Sequence, residues 1–313
     1  MEFPLVTILI ITWNRKKDVL ETVQSIYEQA YQNFEIIVVD NGSNDGTVDA
    51  LSDAYPDVKV VPLDQNMGVS VGRNSGIAVA QGEIIFCLDS DASLDRDSLH
   101  NLVHRFWVES DIGVINCKII NVNTSEHVGG PGWSYSEDKK VHKDQEFLSW
   151  SFSEGGAAIR KEVFDQVGLF WELLLFGCEG QDLSLRAWDT GYKVLYYPKS
   201  IVYHRASSQQ RIIGKDRDCL SLKYHLYIYI VRYPIWMLAF LGPLKVSAVM
   251  FRGIKRGYLL SVLMTLFEVV KTLPILIKYR KPIHNHTAIL YLKLLRQNGP
   301  LSWTLLSWVK NKL

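Results

Sequence analysis

Cysteine is scarce: the 313 residues contain four, Cys87, Cys117, Cys178 and Cys219, none of them in a Cys-x-x-Cys pair. Spacing this wide argues against a zinc site, and buried free thiols in a reducing compartment are expected. A Gly-x-Gly-x-x-Gly segment is missing after the first apolar run, which argues against a dinucleotide-dependent oxidoreductase. Thr12–Lys17 has no glycine, where a sugar nucleotidyltransferase would need a Gly-rich phosphate loop with a basic residue. No basic segment precedes the apolar run Val6–Ile11, which passes straight into Thr12, Trp13 and Asn14. That is the pattern of a first strand rather than a signal peptide. Internal repeats are absent. The rear of the chain has almost no acid: residues 211–313 hold 17 Lys+Arg against three Asp+Glu, a balance of +14, whereas residues 1–210 stand at −13. The net charge of +1 therefore hides an acidic front and a basic rear, which suggests two different partners.

Apolar residues make up 48% of the chain, enough for a substantial core. Val6–Ile11, Glu35–Val39, Val58–Val61, Ile84–Leu88 and Ile112–Cys117 are apolar runs enriched in β-branched residues with little alternation, as expected of strands buried on both faces. Lys17–Ala30, Thr47–Ala54, Val69–Ala80 and Asp97–Val108 have helical patterning. Strand–helix alternation predicts a mostly parallel α/β sheet flanked by helices. Residues 120–150, with Gly129-Gly130-Pro131-Gly132, predict an irregular insertion or hairpin near the site. Helices are then expected at Arg160–Val167 and Gln181–Thr190, and short strands at Val194–Tyr197 and Ile201–Tyr203.

At about residue 222 the composition changes, which predicts a domain over 1–222 and a basic, apolar helical region over 223–313. The longest uncharged stretch in Tyr224–Met250 is Tyr233–Leu244, too short to span a bilayer as a helix. Mixed aromatic and basic residues predict helices lying on a membrane surface. The alternatives are a helical subdomain packed on the sheet and a homo-oligomer interface. No nucleic-acid partner is expected.

The sharpest chemical signal is Phe86-Cys87-Leu88-Asp89-Ser90-Asp91, an apolar strand ending in Asp-x-Asp. Ligand crevices in open α/β sheets lie at that strand end, and paired carboxylates there suit a hard divalent cation, Mg²⁺ or Mn²⁺. A solvated turn is the alternative. Asp40 ends a second strand, where its carboxylate either receives a base or ribose group or caps a turn. Gly68, Gly72 and Gly76 recur on one helix face and read as close packing against the sheet.

These segments together, Thr7–Asn14, Phe34–Thr47, Asn66–Gly76 and Asp89-Ser90-Asp91, resemble family 2 glycosyltransferases of the GT-A fold, in order and in spacing. The likeness covers roughly residues 5–210. Gly155–Arg160 and Phe164–Phe170 fit as well, and the chain looks most like the rhamnosyltransferase-type branch that decorates bacterial surface polysaccharides. The resemblance implies an inverting, metal-dependent transfer from a nucleoside-diphosphate sugar (UDP- or dTDP-linked, dTDP-rhamnose among the candidates). The acceptor would be a saccharide or lipid-linked saccharide, met at the cytoplasmic face of the cell membrane.

By resemblance, Asp40 binds the base or ribose, Thr12 and Asn14 line the nucleotide pocket, and Arg73 and Asn74 lie near the donor. Asp89 contacts the ribose or metal-bound water, Asp91 is the main metal ligand, and His204 either completes the metal shell or is structural. Phe176–Ala187 resembles the family's acidic motif, with Glu179 or Asp182 as the catalytic base and Glu179 favoured. The family's usual adjacent acidic pair is broken here by Gly180, which keeps a non-catalytic nucleotide-sugar-binding protein as an alternative. Trp150 and Glu154 are candidates to line the acceptor pocket.

Overall fold

The computed structural model describes residues 3–122, 142–175, 177–205 and 214–298. The Gly129–Gly132 segment, with most of the expected insertion, and Phe176 of the acidic motif lie outside the described residues. Among the described residues the chain divides into two compact units. The first runs to Arg205 and includes the C-terminal end of the last helix; the second covers 214–292.

The first unit begins with alternating elements: β1 (Val6–Thr12), α1 (Lys16–Ile26), β2 (Phe34–Asp40), α2 (Thr47–Ala54), β3 (Lys59–Pro62), α3 (Val69–Ile77) and β4 (Ile84–Asp89). A short β5 (Ala92–Leu94), α4 (Ser98–Val108) and β6 (Ile112–Asn121) follow. Then come β7 (Phe147–Leu148), β8 (Gly156–Arg160), α5 (Lys161–Val167), α6 (Glu179–Asp189) and β9 (Lys193–His204). The sheet order is β3-β2-β1-β4-β8-β6-β9-β5, with β7 paired to β9.

Strand alternation divides the β1 side chains between two layers. Ile8 and Ile10 join Val38, Phe86, the α1 residues Val19, Val23 and Ile26, and the α4 residues Leu99, Leu102 and Phe106 in one buried cluster. Leu9 and Ile11 face α3 instead. A Cβ on Gly72 would lie 2.2 Å from Ile11 Cδ1, and one on Gly76 2.2 Å from Leu9 Cδ1, so these glycines let α3 pack directly on the sheet, as expected. Each large apolar side chain buried in this way contributes about 1.5–3 kcal/mol.

The pattern of the sheet is mixed rather than uniformly parallel. β3, β2, β1 and β4 are parallel, as the alternation predicts. β8 is antiparallel to both β4 and β6. Its Gly156-Ala157-Ala158 start has none of the β-branched character that marks the other strands, so it gives no strand signal in sequence. The two short strands expected near 194–203 are one strand, β9. It pairs in parallel with β6 and skips register between Tyr197 and Ile201, opposite Cys117 and Lys118. The bulged residues are Pro198, Lys199 and Ser200, and proline cannot donate to a ladder.

The second unit contains α7 (Gly214–Arg232), α8 (Ile235–Lys255), α9 (Leu259–Lys278) and the start of α10 (Asn285–Asn298). The composition step at residue 222 falls inside α7. Lys223 pairs with Glu268 at 2.9 Å, Tyr227 Oη donates to Thr272 at 3.0 Å, and Arg252 pairs with Asp218 at 2.6 Å. α8 and α9 continue through Pro243 and Pro274. α8 is therefore longer than the uncharged stretch Tyr233–Leu244 suggests. At 21 and 20 residues, with mean hydropathy of 1.4 and 1.9, both are long and apolar enough to cross a membrane by length and composition. Only 28% and 22% of their most apolar windows are buried.

Candidate active site

β1, β2 and β4 end side by side. Parallel register sets Thr12 opposite Asp40 and Ile11 opposite Asp89, so three polar chain ends share the carboxyl edge of the sheet. Asp40 is buried and turned onto its own loop. Its Oδ2 accepts the Ser43 N–H at 2.9 Å, and its Oδ1 accepts the Ser43 hydroxyl. Asn14, at φ 51°, accepts the Asn44 N–H at 2.9 Å and gives its own N–H to Ser43 Oγ at 2.7 Å. These bonds tie the loops after β1 and β2 together. Thr12 Oγ1 is buried without a hydrogen-bond partner among the described residues, and a bound ligand can satisfy such an orphan. Asn41, which sequence reasoning passed over, links this edge to the loop that leads into α3: it accepts the Met67 N–H at 2.9 Å and donates to Asn66 at 3.0 Å.

Beyond Asp89 the chain turns, and the Asp89 and Asp91 carboxylates converge on the end of β9. Antiparallel pairing of β5 with β9 sets Ala92 opposite His204. His204 Nε2 lies 3.2 Å from Asp91 Oδ1 and 3.6 Å from Asp89 Oδ2. One potential ligand atom from each of the three residues falls within 4.8 Å of the others. Two carboxylates and an imidazole form a donor set that a divalent cation such as Mn²⁺ or Mg²⁺ can use. The group is electrostatically tight. Burial would lower the His204 pKa, but hydrogen bonds to Asp89 and Asp91 and the charges of both carboxylates raise it to about 9. Burial pushes the Asp91 carboxyl up, yet the hydrogen bond and charge of His204 and the charge of Arg15 leave it lowered. Arg15 Nη1 sits 2.8 Å from Asp91 Oδ2, a contact with no sequence signature.

Arg73, on α3 and nearly buried, connects this group to a second one. Its guanidinium lies 3.9 Å from Asp89 and 3.7 Å from Glu179, and 5.8 Å from the centre of the Phe170 ring. Glu179 begins α6, entered through Gly177 and Cys178, both at positive φ. For Cys178 that conformation costs about 1–2 kcal/mol. Glu179 is 2% exposed, and its Oε2 has no hydrogen-bond partner among the described residues. Burial, then repulsion from Glu154, raises its pKa to about 8 against the pull of Arg73. Burial also raises the Glu154 carboxyl, against the Arg73 charge.

Two expected residues are engaged elsewhere. Asp182 is fully buried and holds Arg186, one turn along the same helix, with Oδ2 2.7 Å from Nη2 and 2.9 Å from Nε. Arg186 in turn donates to the carbonyls of Val167, Gly168 and Leu169 at 2.7–2.9 Å. Asn74 exchanges hydrogen bonds with the Phe170 backbone at 2.9 and 3.0 Å, so its amide braces a loop. Trp150 is buried.

A parallel half-sheet with polar and acidic strand ends, joined to a mixed half that supplies a histidine, defines an α/β protein of the GT-A type. The chain belongs to glycosyl transferase family 2, whose profile matches residues 7–168. Glycosyltransferase AglE of Haloferax volcanii is 26% identical over 230 residues, which cover 68% of this chain and 71% of that protein. A putative teichuronic acid biosynthesis glycosyltransferase, TuaG of Bacillus subtilis, is 35% identical over 99 residues, covering 31% of this chain and 39% of that one. Among solved structures, the mannosyltransferase PcManGT of Pyrobaculum calidifontis, in complex with GDP-Man and Mn²⁺, superposes with a TM-score of 0.58 at 18% identity. That match covers 93% of this chain and 84% of the other.

Proposed function

We propose that this chain is a divalent-metal-dependent, inverting glycosyltransferase that moves a sugar from a nucleoside-diphosphate donor to a hydroxyl acceptor. The observation that carries the reading is the convergence of Asp89, Asp91 and His204 beside the edge formed by Thr12 and Asp40. Asp89, Asp91 and His204 would hold a divalent cation, which supplies positive charge where the leaving diphosphate becomes negative. Thr12 and Asn14 line the nucleotide pocket, and Asp40 orders the loop that closes it. Arg73 adds a fixed cation next to Asp89. The acceptor proton passes to the carboxylate group around Arg73, of which Glu179 is the member belonging to the acidic motif.

The donor is a UDP- or dTDP-sugar, and the resemblance to the rhamnosyltransferase branch favours dTDP-rhamnose. The acceptor is a saccharide or lipid-linked saccharide of surface-polysaccharide synthesis, in keeping with the similarity to a teichuronic acid biosynthesis protein. Turnover of a panel of UDP-, dTDP- and GDP-sugars, followed as nucleoside diphosphate release, tests this reading. Release is expected with Mn²⁺ and lost with chelator. No release from any donor, or equal release with Mn²⁺ and with chelator, would contradict it.

We also propose that the C-terminal region, 223–313, attaches peripherally to the inner face of the cell membrane. Phe251, Leu260, Met264 and Phe267 are each at least 60% exposed, alongside Arg252, Lys255 and Arg256. Buried apolar area and charge attraction both strengthen binding to an anionic leaflet. The protein is expected to pellet with anionic vesicles, less in high salt, and the double variant Phe251→Glu/Phe267→Glu is expected to stay in solution. Equal pelleting of the two proteins would remove the membrane assignment.

A further inference from the structure

Residue 180 cannot carry a side chain in this fold. A Cβ built on Gly180 would lie 2.4 Å from the Phe152 carbonyl oxygen and 2.7 Å from Glu154 Oε1. The space is filled by the Glu154 carboxylate, whose Oε1 also accepts the Gly180 N–H. The acidic motif, which lacks its second acid in sequence, is thus met by a carboxylate from a different element, the loop that leads into β8. That loop is fixed against the metal-ligand group on its other side. The Gly155 carbonyl accepts the Asp89 N–H at 3.4 Å, and a Cβ on Gly155 would lie 2.1 Å from Asp89 Oδ2. Small residues at 155 and 180 together let Glu154 sit between Asp89 and the start of α6.

The three acids near this position differ in what they can do. Asp182 is fully buried on Arg186. Glu179 is 2% exposed and faces Arg73. Glu154 is the least buried of the three residues, and its carboxylate lies beside Arg73 and Asp89 with Oε1 on the Gly180 N–H.

We propose that Glu154 is the proton acceptor of the transfer, with Glu179 as the residue that positions Arg73. The inference rests on the inverting reading above. The acceptor oxygen forms a bond to the anomeric carbon as its O–H proton passes to the Glu154 carboxylate. The bond from that carbon to the diphosphate oxygen breaks, and its electron pair leaves with the diphosphate. A carboxylate in this role contributes on the order of 10²–10⁴-fold.

Water serves as the acceptor in the test, and the donor is whichever of the UDP-, dTDP- or GDP-sugars is hydrolysed fastest with Mn²⁺. Full-length Glu154→Gln is expected to release nucleoside diphosphate at least 100-fold more slowly, with calorimetric affinity for that diphosphate and Mn²⁺ within twofold of the parent. Formate added to Glu154→Ala is expected to recover part of the rate, a response that a purely structural role would not give. Glu154→Gln at more than a third of the parental rate, or Glu154→Ala deaf to formate, overturns the proposal. The anomeric configuration of the released sugar, read by NMR, separates the two layers. Inverted product with an unaffected Glu154→Gln sinks only the assignment of Glu154, whereas retained configuration removes the inverting reading and this proposal with it.

Discussion

Asp91→Asn is expected to reduce turnover by about a thousandfold while leaving the fold intact. Asp91 is 3.2 Å from His204 and 2.8 Å from Arg15, and it supplies one of the two carboxylates of the candidate metal group. Removing its charge leaves Asp89 and His204 to hold a cation that favours several oxygen ligands. Loss of several kcal/mol of charge stabilisation on the leaving diphosphate corresponds to a factor of about 10³. Initial rates at saturating Mn²⁺, with circular dichroism to check folding, measure the effect. A variant within tenfold of the parent would mean that Asp91 does not serve the reaction.

The second large effect concerns stability. Asp182→Asn is expected to cost about 3–5 kcal/mol, because it removes one partner of a buried pair and leaves the other charge uncompensated. The carboxylate of Asp182 is 2.7 Å from Arg186, which itself fastens the Val167–Leu169 backbone to α6. In a domain of this size the melting temperature should fall by on the order of 10 °C. The folded fraction at low temperature should still turn over donor. A variant that melts like the parent but is catalytically dead would instead assign Asp182 to the chemistry, the other role its sequence position allows.

The strands that position the site were legible for a physical reason. β1, β2 and β4 are buried on both faces, so they appear as continuous apolar runs with polar residues at their ends. Asp40 and Asp89 could therefore be placed at strand ends from sequence alone. His204 could be placed after a strand, although its approach to Asp91 depends on the pairing of β5 with β9.

What stayed hidden depends on tertiary approach. β8 opens on Gly156-Ala157-Ala158, with Gly156 packed against Val202 and Ile119, and small residues carry no strand signal. Arg15 is an ordinary surface-type residue in sequence, and only the fold brings it to Asp91. Gly180 looked like a lost acid, whereas a Cβ there would lie 2.4 Å from the Phe152 carbonyl oxygen, with the Glu154 carboxylate next to it. The apolar helix α8 was underestimated because Pro243 and Lys245 interrupt the composition without interrupting the helix.

The central claim is that a divalent cation and a nucleoside diphosphate bind this site together. Calorimetric titration of the full-length protein with UDP, dTDP and GDP, each with and without Mn²⁺, measures that coupling directly. At least one diphosphate is expected to bind tenfold or more tightly with the metal present, and Asp91→Asn to erase the difference. Affinities unchanged by Mn²⁺ for all three, or a metal effect that survives Asp91→Asn, would contradict the account.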